Sequence, residues 1–79
     1  MKHPDEMAHE MAQVNAAAPM GSRWLHLKSG VEYAVHGHCF LEASATPAIL
    51  YASTTDGENP IWARGADEFL DGRFELKTI

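Results

Sequence analysis

From residue 22 onward, apolar and polar side chains alternate within short segments, and turn signals separate these segments. Alternation with a period of two is typical of β-strands, whose successive side chains point to opposite faces. The pairs Ser29-Gly30, Asp56-Gly57 and Asp71-Gly72 are typical of tight turns. The predicted strands are 22–28, 31–42 with a bend at Gly37, 48–53, 61–64 and 73–77. The pattern therefore predicts a mainly β chain.

Residues 5–18 show a different period. Met7, Met11, Val14 and Ala18 recur every three or four residues, which predicts one apolar stripe along a helix that ends at Pro19. The stripe is weakly hydrophobic, so the helix needs a surface to lie on. Met7, Met11 and Val14 are predicted to bind a partner, including a second copy of the chain. The alternative is that the helix docks on the chain's own barrel or is a partly disordered tail.

The layout predicts a small five-stranded SH3-like barrel, preceded by an N-terminal α-helix. One helical turn over 66–70, directly before the last strand, fits this class. The expected division is a helix and linker over 1–21 and the barrel domain over 22–79. The alternative is an α+β fold, in which a sheet of three or four strands carries the helix on one face.

A chain of 79 residues predicts one domain with a small core. Cys39 is the only cysteine, which excludes a disulfide within one chain and fits a reducing compartment. No apolar run approaches the roughly 20 residues that span a membrane. The N-terminus carries Asp5 and Glu6 where a signal peptide has basic and apolar residues. We therefore expect a cytoplasmic protein of a bacterial cell, without contact to a membrane.

The chain carries eleven acidic and six basic residues, for a net charge of −5. Long nucleic acids bind clusters of Lys and Arg, and the sequence shows no such cluster. The charge therefore argues against binding of DNA or long RNA. It leaves open a partner protein, or a small ligand held by one or two cations.

His36, His38 and Cys39 carry the side chains that zinc and copper prefer. In a strand, the two histidines point to the same face about 7 Å apart. A full four-ligand pattern is missing, so the histidines are metal candidates only, and we expect no cofactor. The apolar residues that follow Cys39 indicate a buried, inert thiol, so we predict no catalytic residue and no enzyme.

An aromatic and cationic set lies on strands that a small barrel brings together. It comprises Trp24, His26, Tyr33, Trp62 and Arg64. If the faces that carry Leu25, Leu27 and Ile61 form the core, this set points outward and is predicted to bind a ligand. An aromatic ring stacks on a base and an Arg holds a phosphate, which suits a nucleotide. The alternative is that the aromatic residues form the core and Arg64 caps a turn.

Residues 22–75 resemble a family of small bacterial and phage proteins of unknown function. The matching residues are Trp24, His26, Lys28, Gly30, Tyr33, Val35, Tyr51, Trp62, Arg64, Phe69 and Asp71-Gly72-Arg73-Phe74. The chain departs from the family at Gly65, where proline is usual, and over 36–44. The resemblance implies a compact β-rich domain, often phage-borne, and it implies no reaction.

Two hypotheses of function follow. The first is a non-catalytic binding module, encoded by a phage or prophage, that contacts a host protein and antagonises host defence. The second is an oligomeric binder that sequesters a small nucleotide signal. A His/Cys metal-binding protein is a further alternative.

Overall fold

The computed structural model describes residues 2–77, which form one antiparallel sheet with an N-terminal helix. The elements are α1 (Pro4–Ala17), β1 (Arg23–His26), β2 (Glu32–Leu41), β3 (Thr46–Ser53), β4 (Trp62–Gly65), α2 (Ala66–Phe69) and β5 (Phe74–Lys77). The predicted mainly β class, its five strands and the N-terminal helix are therefore confirmed.

Helix α1 begins where the chain supplies local partners for its first turn. The Nδ1 atom of His3 accepts a hydrogen bond from the backbone N–H of Asp5 at 3.2 Å. Pro4 occupies the first helical position, where its missing N–H costs nothing. The helix ends at Ala17, and the backbone N–H of Ala18 donates to the carbonyl of Val14 at 2.8 Å.

Neither helix of the described chain has the length and apolar character to cross a membrane.

The strands lie in the order β4-β3-β2-β1-β5, and every neighbouring pair is antiparallel. The strands β4 and β5 are the two edges, and no hydrogen-bonded ladder joins them within residues 2–77. The sheet is therefore not a closed barrel, and the closure that the sequence pattern predicted is not confirmed.

Strand β2 contains a bulge directly before Gly37, where the sequence predicted a bend. Val35 is paired with Tyr51, and Gly37 is paired with Leu50. His36 is thus an extra residue that faces no partner on β3. Such a bulge bends the strand and increases its twist. The bend lets one long strand follow the curvature of the sheet.

The core lies on one face of the sheet, which we call the inner face. Trp24 is 7% exposed, whereas Leu27 and Ile61 are 52% and 53% exposed. The condition that the Leu and Ile faces form the core is therefore not met. The core residues are Val14, Ala18, Trp24, Val35, Ile49, Tyr51, Ala66, Phe69 and Phe74.

Helix α2 contributes the central side chain of this core. Phe69 is fully buried and stacks on Phe74, with 4.3 Å between ring centroids and 14° between ring planes. Its other neighbours, Trp24 and Tyr51, both meet it edge to face at 5.2 Å. A single helical turn therefore positions the ring that joins β1, β3 and β5.

Candidate functional site

All members of the predicted ligand-binding set lie on the inner face. They are Trp24, His26, Tyr33, Trp62 and Arg64. Residues paired across antiparallel strands share a face. Trp24 is paired with Tyr33, and His26 with the core residue Phe74. Trp62 is paired with the core residue Tyr51. The structure thus brings the set to one side of the sheet, although not to one point.

Two members of the set are part of the packed interior. Trp24 is 7% exposed, and its Nε1–H donates to Ser22 Oγ at 3.0 Å. Tyr33 is half-buried and meets Tyr51 edge to face, with ring centroids 5.1 Å apart. A buried ring with a satisfied polar atom stabilises the fold and leaves little surface for a ligand. Trp24 therefore has the position that the alternative hypothesis predicts, and Tyr33 packs against the same core.

Arg64 lies at the edge of the inner face, where its side chain is fixed from two sides. Its Nε–H donates to the hydroxyl of Tyr51 at 3.2 Å, and its Cζ lies 5.5 Å from the centre of the Phe74 ring. The hydrogen bond to Tyr51 raises the pKa of Arg64 above its ordinary value. Among residues 2–77, no group accepts a hydrogen bond from the Nη atoms of Arg64. The guanidinium is therefore held in place with one side available.

Arg73 lies next to Arg64, and a carboxylate lies between them. The Oε2 atom of Glu68 is 3.9 Å from Nη1 of Arg64 and 3.5 Å from Nη1 of Arg73. Arg73 also pairs with Asp71, whose Oδ2 is 3.2 Å from Nε. The distances to Glu68 are long for charge-assisted hydrogen bonds, which are usually about 2.7–2.9 Å. Two cations thus converge on a position that the chain's own carboxylate fills loosely.

Two depressions meet at this pair of arginines. The first, which we call the basic recess, has a volume of about 480 Å³ and is lined by His26, Leu27, Lys28, Arg64 and Arg73. The second, which we call the β4 groove, has a volume of about 710 Å³. It is lined by Leu41, Thr46, Pro47, Tyr51, Trp62, Ala63, Arg64, Gly65, Ala66, Asp67, Glu68 and Arg73. Both depressions are open to solvent, and the arginines form the wall between them.

His26 and Trp62 lie on opposite sides of this wall. The ring of His26 packs against Phe74 at 4.9 Å, and its Nδ1 is hydrogen-bonded to Ser29 Oγ at 2.7 Å. Trp62 is 52% exposed because it lies on the edge strand, beyond the reach of the core rings. The predicted set therefore divides into interior residues and three rim residues, which are His26, Trp62 and Arg64.

The sequence pattern did not predict the cations that complete the rim. Arg73 and Lys28 line the basic recess with Arg64, yet they lie far from each other along the chain. One signal was present in the turn at Asp71-Gly72. There Asp71 Oδ1 accepts from the backbone N–H of Arg73 at 3.2 Å, and Gly72 has φ +107°. That turn places Arg73 opposite α2, and only the tertiary structure reveals its proximity to Arg64.

The histidine and cysteine candidates for a metal site are not brought together. His36 is the exposed bulge residue, whereas His38 is half-buried and its Nε2–H donates to the carbonyl of Ala18 at 2.6 Å. Because of the bulge, the simple alternation that would put both histidines on one face does not hold. Within residues 2–77, no group of three or more His, Cys, Asp or Glu side chains is arranged to hold a metal ion.

The apolar stripe of α1 lies on the chain's own core. Val14 is 8% exposed and belongs to the core, and the partly buried Met11 packs against it. Met7, one turn earlier, is half-buried. The helix thus follows the alternative of docking on its own sheet, and Val14 needs no partner molecule to cover it.

Comparison with known proteins returned no relative. No protein-family model, curated protein or solved structure matches the chain.

Proposed function

We propose that this chain is a non-catalytic binding domain that holds a small anionic ligand between Arg64 and Arg73. One observation carries the proposal. The chain has only six Lys and Arg residues and a net charge of −5, yet Lys28, Arg64 and Arg73 line the same recess together with His26. A concentration of cations on an acidic chain attracts an anion to that place.

The geometry of Arg64 suits anion recognition. A guanidinium binds carboxylate and phosphate groups through two parallel N–H donors. Tyr51 accepts from Nε of Arg64 and leaves the Nη atoms, of which Nη1 lies 3.9 Å from Glu68 Oε2, for an anion. The Arg64 side chain is 29% exposed, which reduces the screening of its charge by water. A side chain that is already fixed loses less conformational entropy on binding.

Glu68 supports the same assignment. Its carboxylate lies between the two guanidinium groups, 3.5 Å from Arg73 and 3.9 Å from Arg64, which supports an anion at this position. A ligand with higher charge or better geometry displaces Glu68, which is 62% exposed and moves into solvent at little cost. The ligand therefore competes with an internal carboxylate.

Isothermal titration calorimetry with inorganic phosphate and pyrophosphate tests the proposal. Hydrogen bonds to charged groups contribute about 1.5–3 kcal/mol each, so we expect Arg64→Gln or Arg73→Gln to weaken binding at least about tenfold. Arg23→Gln is the matched control, because Arg23 lies on the opposite face and pairs with Glu32. Glu68→Gln should tighten binding, because it removes the competing charge.

The outcomes separate clearly. Equal loss in Arg64→Gln and Arg23→Gln would show a general charge effect and contradict the site. Failure of the wild-type chain to bind either anion at low salt would overturn the proposal. Thermal unfolding of each variant confirms that it remains folded.

We also propose that the sheet belongs to the SH3-like class, although no hydrogen-bonded ladder joins its edges within residues 2–77. The strand order and the single helical turn between β4 and β5 support this class. The side chains of Arg64 and Phe74 meet across the gap between these edges. The anion site then lies where such a barrel would close.

Contact with a host protein is the second candidate function. Strand β4 is an edge strand; its first residue, Trp62, is 52% exposed, and Ile61 directly before it is 53% exposed. Exposed strand edges with apolar side chains pair readily with other chains. The resemblance to phage-borne proteins makes a protein of the bacterial host the proposed partner class, and antagonism of host defence the proposed role.

Pull-down from bacterial lysate at low salt tests this candidate. The wild-type chain is compared with Ile61→Lys, which places a charge on the exposed edge without entering the core. A specific protein that is retained by the wild-type chain and lost by the variant supports the β4 edge as the contact. Identical retention by both chains would remove β4 from the proposal.

A further inference from the structure

The β4 groove contains an exposed tryptophan beside the arginine pair. Trp62 is a large, rigid aromatic side chain, and it is half-exposed at 52%. Trp62 and Arg64 are two residues apart in β4, so they point to the same face about 7 Å apart. Both line the β4 groove. An exposed aromatic face therefore stands next to a fixed cation, within the span of one small molecule.

The charges around Trp62 and Arg64 determine which end of a ligand would lie at each residue. Asp67 and Glu68 also line the groove, so a second anionic group of a ligand would be repelled there. The basic recess, on the other side of the arginines, contains Lys28 and His26, and none of its lining residues within 2–77 is acidic. The anionic end of a ligand thus belongs at the arginines and the recess, and a neutral end belongs at Trp62.

We propose that the ligand is a nucleotide, whose phosphate binds Arg64 and Arg73 and whose base stacks on Trp62. This inference rests on the proposed anion site and adds the chemistry of the neutral end. A tryptophan face stacks on any planar heteroaromatic ring, so the stack is tolerant of the identity of the base. A phosphate carries up to two negative charges and enough oxygens to satisfy two guanidinium groups.

A matched pair of ligands isolates the contribution of the ring. Adenosine monophosphate and ribose 5-phosphate carry the same phosphate and sugar, and only the first has a base. Stacking of one base on an aromatic side chain corresponds to roughly 5- to 140-fold in affinity. We expect adenosine monophosphate to bind tighter than ribose 5-phosphate by a factor in this range, measured by calorimetry at constant salt.

A matched pair of variants assigns that factor to Trp62. Trp62→Ala should reduce the affinity for adenosine monophosphate to that for ribose 5-phosphate, and leave ribose 5-phosphate unchanged. Trp62→Phe should retain most of the difference, because it keeps an aromatic face. Trp62 is not a core residue, so both variants are expected to fold, and circular dichroism verifies this.

Each other outcome overturns a defined part of the proposal. Equal affinity of the wild-type chain for both ligands would contradict stacking of the base. In that case, loss of ribose 5-phosphate binding in Arg64→Gln would still support the anion site. If Trp62→Ala still binds adenosine monophosphate tighter than ribose 5-phosphate, Trp62 is not the residue on which the base stacks. Absence of binding by both ligands overturns the anion site and the inference together.

Discussion

The guanidinium of Arg64 lies over the ring of Phe74, with 5.5 Å between Cζ and the ring centroid. Arg64 belongs to β4 and Phe74 begins β5, so the contact joins the two outermost strands of the sheet. A cation within about 6 Å of a ring centroid is attracted by the electrons of the ring face. Side-chain contact therefore holds the edges together where backbone hydrogen bonds do not, and the basic recess lies beside this contact.

The hydroxyl of Tyr51 positions Arg64, so Tyr51→Phe should affect both stability and binding. The variant loses the hydrogen bond from Nε of Arg64, which is 3.2 Å long, and keeps the buried ring. We expect a loss of about 1 kcal/mol in the free energy of unfolding, and a several-fold weaker affinity for phosphate. Urea denaturation and calorimetry measure the two effects.

Tyr33→Phe is the control for this variant. Tyr33 packs against Tyr51 at 5.1 Å, but its hydroxyl makes no hydrogen bond with the described part of the chain. We expect its phosphate affinity to equal that of the wild-type chain. A similar loss of affinity in both variants would contradict a positioning role for Tyr51.

Phe69 is fully buried between the aromatic rings of the strands, so Phe69→Ala should destabilise the chain severely. Truncation of a buried Phe to Ala usually costs about 3–5 kcal/mol, from lost transfer free energy and a residual cavity. The neighbouring Leu70 is 37% exposed, and Leu70→Ala should cost less than about 1 kcal/mol. Urea denaturation followed by circular dichroism compares them, and equal losses would contradict the central position of Phe69.

Alternation of side chains predicted where the strands lie, but not which face is inside. The period of two in β1 placed Trp24 and Leu25 on opposite faces, and the structure agrees. The pattern contains apolar residues on both faces, so it left the direction of the core undetermined. The fully buried Phe69 of α2 decides it, because its ring packs edge to face on Trp24 and not on the face that carries Leu27 and Ile61. The choice of face is thus a tertiary property.

The candidate site was predicted in part for a related reason. Trp62 and Arg64 are neighbours in one strand, and a period of two is sufficient to pair them. Arg73 follows a separate turn, and its proximity to Arg64 depends on how β5 is added beyond β1. Pairings between distant segments are not encoded in any local pattern. Similarly, the closure of a barrel depends on backbone pairing of β4 with β5, which strand count alone does not determine.

Glu32 should make stability depend on pH in the acidic range. It accepts hydrogen bonds from Lys77 at 2.7 Å, from Thr54 at 3.0 Å and from Arg23 at 3.1 Å. The hydrogen bonds from Lys77 and then Thr54 hold the pKa of Glu32 below its ordinary value of 4.5. A lowered pKa in the folded state means that stability is present above this ordinary value and is lost as the pH falls through the folded pKa.

Melting temperatures of the wild-type chain and Glu32→Gln, measured against pH, check this expectation. The wild-type chain should melt higher at neutral pH, and the difference should vanish at pH values well below 4.5. Glu75→Gln is the control, because Glu75 lies on β5 and forms no ion pair with residues 2–77. A difference for Glu32→Gln that does not change with pH would contradict the role of the charge.

His38 connects α1 to the sheet, so His38→Ala should loosen the helix. Its Nε2–H donates to the carbonyl of Ala18 at 2.6 Å, and Ala18 is fully buried at the end of the helix. Loss of the donor leaves a buried carbonyl unsatisfied, which costs about 1–3 kcal/mol. Urea denaturation measures the loss.

His36→Ala is the matched control for this effect. His36 is exposed in the bulge of the same strand, and its removal should change stability by less than about 0.5 kcal/mol. Hydrogen exchange of the α1 amides should accelerate in His38→Ala and stay unchanged in His36→Ala. Equal exchange in the two variants would show that the contact with Ala18 does not hold the helix.

The unequal burial of the two tryptophans gives the chain an internal optical reporter. Trp24 is 7% exposed and Trp62 is 52% exposed. A dissolved collisional quencher such as acrylamide reaches Trp62 far more readily than Trp24, so the two emissions separate without any added dye. Emission from Trp62 then follows what occupies the β4 groove, while emission from Trp24 follows whether the core remains intact.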